Sequence, residues 1–585
     1  MELPEHPTAT GRAERFTTSI DRLVHDRSPS RRSIGGVRVR ITLVAVLLAA
    51  GIGAVATGTP ATAQPSDDRG GGSRRPVVVA HPAEACAALS GLHVDASEIG
   101  PPTRGATVQS ATLTPAVPVG NPEFCLVRGQ VLSFDPTAPP INFQLNLPTT
   151  WDRRTMQLGG GGFNGTVITG LGNVPGTAGT ADIAPATPLQ RNYATFGSDS
   201  GNAVGSNPPG SFGLNAESFA NYAGESVKRT RDAAQYLIRS YYGVSPRYQY
   251  FAGGSKGGHE ALVAAQRYGD EYDGLIAYYP ANQNLFLIYG WDNLLRLVNE
   301  VPGGALNAAE QQLVSTAVMV ACDGLDGVAD GVIANRTGCD NTFDIEALAC
   351  PGGGDTGDNC LSATQIDTMR SAAAPADLPY PAPNGRTDAG PFPVFHGGDL
   401  RATLGSYTFF NTGVIRYWYL QDPDATADEV ANFDWIVHRA DVERVANQFD
   451  AADPDIDDFL SGGGKLIIVQ GTTDMLVPPS ATDPYYESLD DRYHGRLRNT
   501  VRYYVQPGYG HASGAFNLSF DSLTALDEWV TRGARPRTPI AYDGNPATAG
   551  RSMPLCEYPK WPRYNGTGDP NSATSYTCID DRRDR

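Results

Sequence analysis

Gly253-Gly254-Ser255-Lys256-Gly257 decides the fold. The stretch satisfies G-x-S-x-G. A β-rich run at 247–251 precedes it, and apolar residues at helical intervals come after it over 258–268. Small residues flank the serine because a sharp strand-to-helix turn strains the nucleophile's backbone and leaves no room for neighbouring side chains. An ordinary Gly/Ser loop needs neither flanking element. Upstream, Ile141-Asn142-Phe143-Gln144-Leu145-Asn146-Leu147 alternates as a half-buried strand, residues 155–158 form a second strand entering Gly159-Gly160-Gly161-Gly162, and 223–242 has helical periodicity. Downstream, strands are predicted at 465–469 and 500–505 and a terminal helix at 523–530. Strands alternating with helices predict an α/β fold with a mostly parallel sheet and flanking helices.

A serine nucleophile needs a base, and the base needs an orienting carboxylate. Asp474 lies in Gly471-Thr472-Thr473-Asp474, directly after the 465–469 strand, and His511 follows the 500–505 strand in Pro507-Gly508-Tyr509-Gly510-His511. Singly, these are a turn-capping aspartate and a loop histidine. Together, in the order Ser, Asp, His and each behind a strand, they match the hydrolase arrangement. His259, one helical turn past Ser255, is the alternative base.

The loop Gly159-Gly160-Gly161-Gly162-Phe163-Asn164-Gly165 formally fits a dinucleotide fingerprint. The segment after it, 166–180, is glycine-rich and non-helical, so no helix N-terminus awaits a pyrophosphate. The loop suits an oxyanion hole instead, with the N–H groups of Gly161 or Gly162 and of Lys256 as donors. Gly464-Lys465 precedes a strand and lacks the Ser/Thr of a P-loop.

The separation between Ser255 and Asp474 exceeds what two or three βα units need, and 283–450 differs in character, with four cysteines, Gly/Asp clusters and Tyr417-Trp418-Tyr419. We read 81–282 and 451–585 as two parts of one core and 283–450 as an inserted lid domain. Tyr417, Trp418 and Tyr419 on that insertion could stack on an aromatic acyl group and Arg416 could pair with a phenol or carboxylate, although such an aromatic stripe also suits lid core. Within it, Asp323-Gly324-Leu325-Asp326-Gly327-Val328-Ala329-Asp330-Gly331-Val332 spaces three carboxylates through glycine turns. With the carbonyls of Val328 and Val332, Asp323, Asp326 and Asp330 offer hard oxygen ligands for calcium, though not as an EF-hand; a solvated Asp-Gly turn series is the alternative.

The chain of 585 residues carries 45 Lys+Arg against 63 Asp+Glu, a formal charge of -18, and no basic run occurs after its first 40 positions, which argues against nucleic-acid binding. Arg31, Arg32, Arg38 and Arg40 precede an uncharged stretch at 41–58, and Ala61-Thr62-Ala63 comes next. This predicts an export signal over 1–63, partly like a twin-arginine signal, with an uncleaved anchor as the alternative, and a flexible linker over 64–80. No later segment predicts a membrane span. The eight cysteines, Cys86, Cys125, Cys322, Cys339, Cys350, Cys360, Cys556 and Cys578, all lie after the signal, as disulfides in a secreted, extracellular protein require. Their spacing groups them into local pairs, while sequence alone allows 105 connectivities for eight cysteines. Without a C-x-x-C, a zinc site is disfavoured.

Together the 159–165 and 253–258 glycine loops, the Cys322-to-Gly331 loop, Gly463-Gly464-Lys465-Leu466 leading to Asp474, the His511 loop and Trp561-Pro562-Arg563-Tyr564-Asn565-Gly566 resemble the tannase and feruloyl esterase family, which includes hydrolases of mono(2-hydroxyethyl) terephthalate. The resemblance implies an α/β-hydrolase core, a lid with structural Ca2+, a Ser255, Asp474, His511 triad, and hydrolysis of small-molecule esters of aromatic carboxylic acids; no protein partner is implied. The family commonly joins a cysteine before the serine to one after the histidine; here Gly254 and Ala512 stand there. A general serine esterase or peptidase on the same fold, or a non-catalytic calcium-stabilised exported binding protein, are the competing expectations.

Overall fold

Alternation of side chains along each strand sets the layers. The computed structural model describes residues 75–177, 179–180, 183–202 and 208–580. In chain order the large sheet comprises β1 (His93–Val94), β2 (Thr103–Thr114), β3 (Phe124–Ser133), β4 (Ile141–Pro148), β5 (Arg154–Leu158), β6 (Ala194–Ser198), β7 (Tyr248–Gly254), β8 (Gly274–Tyr278), β9 (Lys465–Gly471), β10 (Val501–Gln506) and β11 (Cys556–Glu557). They lie in the order β11-β10-β9-β8-β7-β5-β6-β4-β3-β2-β1. The helices that position the site are α1 (Ser226–Tyr242), α2 (Lys256–Arg267), α3 (Asn284–Asn299), α4 (Leu400–Val414), α5 (Arg439–Phe449) and α6 (Ser522–Arg532).

On β8, Leu275 and Ala277 face one way and pack with Leu262 and Val263 of α2, joined by Leu466 and Ile468 of β9. Ile276 and Tyr278 face the other way, with Ile467, Val469 and Leu526 and Trp529 of α6. Strands apolar on both faces need a helix on each, and this period-two pattern supplies it.

The protein has an α/β fold, but its sheet is mixed rather than mostly parallel. Pairings from β10 through β9, β8, β7 and β5 to β6 are parallel. β11 at one edge and β4, β3, β2 and β1 at the other pair antiparallel. The connections among β2, β3 and β4 contain no helix, and a parallel neighbour requires a crossover that such short links cannot provide. The expected helix at 223–242 begins instead at Ser226, because Gly224 has a non-helical φ of 138° in the π-turn before it.

Between the adjacent parallel strands β8 and β9, residues 279–464 are mostly helical. Their apolar cluster includes Trp291 of α3, Tyr407 of α4, Trp418 and Trp435, and takes in Phe212, Phe219 and Tyr222 from ahead of α1. The eight cysteines form four local disulfides, Cys86–Cys125, Cys322–Cys339, Cys350–Cys360 and Cys556–Cys578. The export signal expected at 1–63 and the linker as far as residue 74 lie outside the described residues. Within the rest of that linker, Val77–Val78 pairs antiparallel with Thr150–Trp151, since its β-branched residues suit a strand. Among the described residues no helix is long and apolar enough to cross a membrane.

Candidate active site

Ser255 sits between the end of β7 and the start of α2 with φ 58° and ψ -119°, a strained conformation for a residue with a Cβ. The glycines around it are steric necessities. A Cβ on Gly253 would lie 2.4 Å from the carbonyl of Gly257, and one on Gly257 would lie 2.8 Å from the oxygen of Gly160. The Ser255 N–H donates to the Tyr278 carbonyl at 3.0 Å, tying the turn to β8.

Asp474 lies just past β9 and is fully buried. One carboxylate oxygen accepts the N–H groups of Leu476 and Val477, both at 2.9 Å, and the other meets Nδ1 of His511 at 2.8 Å. An ionised carboxylate only accepts, so the shared proton belongs to Nδ1, leaving Nε2 of the neutral ring as an acceptor. The loops carrying the two residues are laced together, Thr473 N–H donating to the Tyr509 carbonyl at 3.0 Å and Gly508 N–H to the Thr472 hydroxyl at 3.0 Å.

The glycine loop after β5 lines the same cavity as His511. Gly159 N–H donates to the Ala252 carbonyl at 2.9 Å, Gly160 N–H to Glu260 at 3.1 Å, and the Gly161 carbonyl accepts Asn164 N–H at 2.8 Å. Among the described residues the N–H groups of Gly161, Gly162 and Lys256 meet no protein acceptor. Lys256 opens α2, where the helix leaves N–H donors unpaired and its dipole is positive.

Ser255, His511, Gly161, Gly162 and Lys256 all line one cavity of about 450 Å³. No direct hydrogen bond joins Ser255 to His511; they meet only through this shared space. Phe163, Tyr222, Trp291, Phe410, Trp418 and Phe449 form aromatic walls. Arg416, expected beside Trp418 as a substrate contact, does not line the cavity, and its Nε is buried without a hydrogen-bond partner among the described residues. Two residues along a helical turn project to opposite sides, so Val414 and Trp418 face the cavity while Arg416 turns away. Tyr417 and Tyr419 are buried elsewhere in the helical core.

His259 is fully buried and stacked on Phe449 with ring centroids 4.1 Å apart; burial, aided by the Lys256 charge, holds its pKa well below the usual range. It does not line the cavity.

Tyr279 escaped the sequence reading, although its place just past the end of β8 is where α/β sheets carry functional groups. Its ring stands 4.6 Å from that of His511, and burial pushes its hydroxyl up to about 12. A Cβ on Gly254 would lie 2.9 Å from this ring. Where the family resemblance implies a cysteine side chain, the tyrosine fills the space. Ser255, Tyr279 and Ala512 all hold positive φ, at 58°, 33° and 67°, so backbone strain gathers at the cavity. Phe410 and Phe449 also escaped, being distant in sequence and unmarked by any motif.

In the expected calcium loop, Asp323 accepts the N–H groups of Asp330, Gly331 and Val332, Asp326 those of Val328 and Ala334, and Asp330 that of Val332. Burial, with the neighbouring carboxylates adding to it, pushes Asp326 up to about 7 and Asp330 to about 6. The carboxylates thus turn onto their own backbone, and among the described residues no three acidic, thiol or imidazole side chains gather as a metal cage. The Cys322–Cys339 disulfide starts at the residue before Asp323.

The sequence pattern of the family described as tannase and feruloyl esterase matches residues 125–579, which takes in every residue of this cavity. The chain belongs to the tannase and feruloyl esterase family. An uncharacterised esterase of Agrobacterium fabrum is 33% identical over 530 residues, covering 85% of this chain and 93% of its own. The mono(2-hydroxyethyl) terephthalate hydrolase of Piscinibacter sakaiensis is 28% identical, covering 78% and 85%. Feruloyl esterase B from Aspergillus oryzae superposes with a TM-score of 0.68 at 22% identity over 81% of this chain and 97% of its own, a likeness of fold. This member of the tannase and feruloyl esterase family is a carboxylic ester hydrolase.

Proposed function

We propose that the protein is an exported serine hydrolase of aromatic carboxylic esters, built as an α/β-hydrolase core with the helical 283–450 segment as its lid. Ser255 Oγ attacks the ester carbonyl while His511 Nε2 takes its proton, Asp474 orients and stabilises the imidazolium, and the alcohol leaves with that proton. Water then attacks the acyl-enzyme by the reverse proton path and releases the acid. The N–H groups of Gly161, Gly162 and Lys256 receive the negative charge on the carbonyl oxygen. The single observation carrying this reading is the 2.8 Å contact of the buried Asp474 with His511, which lines the cavity that holds the strained Ser255. A fluorophosphonate should label Ser255 in the folded protein; a folded protein that stays unlabelled would overturn the reading. Four disulfides support export to an oxidising compartment.

The walls also bear on the acyl group. Among the described residues Lys256 is the only Lys or Arg lining the cavity, and its ammonium is held by Glu260 at 3.0 Å. A second carboxylate on the acyl group would enter without a free cation to meet it. Methyl ferulate is therefore expected to exceed mono(2-hydroxyethyl) terephthalate in kcat/KM by about tenfold or more, the penalty of an unpaired buried charge. Parity or reversal in initial-rate assays would refute this.

The Asp323-to-Val332 loop is proposed to take structural Ca2+, supported by its hard carboxylate and carbonyl oxygens and by the adjacent disulfide. Ca2+ would supply folding energy there and no step of the reaction. At calcium a hundredfold above Kd, removal by chelation is expected to cost about 2.7 kcal/mol, seen as a fall in Tm that added Ca2+ reverses. An unchanged Tm would leave the loop held by its own N–H groups alone.

A further inference from the structure

Glu260 lies one turn into α2 from Lys256 and is 4% exposed. One oxygen accepts Lys256 Nζ at 3.0 Å and Asn164 Nδ2 at 2.8 Å; the other accepts Gly160 N–H at 3.1 Å. Lys256 Nζ also lies 3.1 Å from His259 Nδ1 and 4.5 Å from the centre of the Tyr222 ring. Tyr222 closes the circuit, its hydroxyl donating to the Gly162 carbonyl at 2.8 Å. The glycine loop is therefore gripped on both sides of Gly161, by a carboxylate at 160 and 164 and by a phenol at 162.

A buried Lys–Glu pair gains little net stability, because desolvation of both charges offsets their attraction. A lysine in the first turn of a helix also opposes the dipole. Stability alone gives no reason for this pair. Its reach into the loop gives one. In a trans peptide the C=O and N–H point opposite ways, so the Gly161 carbonyl, held by the Asn164 N–H, fixes where the Gly162 N–H points, while Glu260 holds the Gly160 N–H just before Gly161 and the side chain of Asn164.

Resting on the serine-hydrolase reading above, we propose that Glu260, with Lys256 as its counter-ion, is a positioning residue for the oxyanion donors. It locks the 159–165 loop to the helix that begins just after Ser255, so that Gly161, Gly162 and the Lys256 backbone N–H keep one mutual geometry. It touches no reacting atom.

Glu260→Ala is expected to lower kcat on methyl ferulate about 10- to 100-fold with KM changed less than about threefold, as a small misplacement of catalytic donors does. Binding of a trifluoromethyl ketone, which mimics the tetrahedral adduct at Ser255, should weaken by a similar factor. Glu260→Gln, which keeps an acceptor and the shape, should recover part of both losses. The double variant Lys256→Met, Glu260→Leu removes both charges and is expected to melt near the parent while kcat stays low. Parental kcat and ketone affinity in Glu260→Ala, a loss confined to KM, or recovery of kcat in the double variant would each overturn the positioning role. Failure of the underlying reading is distinguishable: parental protein would then take no fluorophosphonate and would not bind the ketone at all.

Discussion

Replacing Ser255 by alanine is expected to reduce kcat on an aromatic ester by about 10⁴- to 10⁶-fold with little change in KM, the range seen when a triad nucleophile is removed. The substitution deletes one oxygen at the mouth of a turn whose geometry is set by neighbours: Gly253 and Gly257 approach each other and Gly160 too closely for any Cβ. The fold should therefore survive, and alanine at φ 58° is strained no more than serine. Matched melting curves with abolished turnover would place the loss in the chemistry. Retention of more than a tenth of parental kcat would remove Ser255 from the mechanism. The same sample should lose fluorophosphonate labelling.

The second large effect is expected at Gly471, the last residue of β9. A Cβ there would lie 2.0 Å from the Tyr509 carbonyl oxygen and 2.5 Å from its carbon. Both atoms are backbone, so no side chain can rotate aside. That carbonyl also accepts the N–H of Thr473, so the collision falls on the bond lacing the Asp474 loop to the His511 loop. Gly471→Ala is expected to destabilise the protein by about 3 kcal/mol or more, at the severe end for a single substitution. In whatever folded fraction remains, kcat should fall by about 100-fold, because the two loops must part and His511 loses its orientation. Denaturant midpoints and active-site titration of the same preparation separate the two effects. An alanine variant of parental stability and activity would show that the loops are not held this tightly.

Local signals were legible wherever a residue's job is local. Strand alternation at 141–147, the apolar runs at 465–469 and 500–505, and the serine turn at 253–257 each arise from nearest-neighbour sterics and burial, and each forms close to where it is expected. The mixed character of the sheet was less legible. Strands β2 to β4 declare themselves as strands, but pairing direction depends on the length of the links and on which edge remains open. The cavity shows the sharpest contrast. Trp418 and Arg416 read alike as candidate contacts, and the phase of a helical turn alone separated them.

By itself the sequence determined the α/β class, the strand-turn-helix around Ser255, and the chain order of Ser255, Asp474 and His511, because each depends on a short stretch of chain and its periodicity; it suggested local cysteine pairs, which the folded chain then fixed among the 105 connectivities. Only the tertiary structure decided that Tyr279 stands against His511, that Phe410 and Phe449 close the aromatic walls, and that Glu260 reaches the glycine loop through Gly160 and Asn164. These contacts join residues about a hundred or more positions apart. No propensity or spacing encodes them, since they exist only once β5, β7 and β8 pair in one sheet, α2 packs on it and their ends come together.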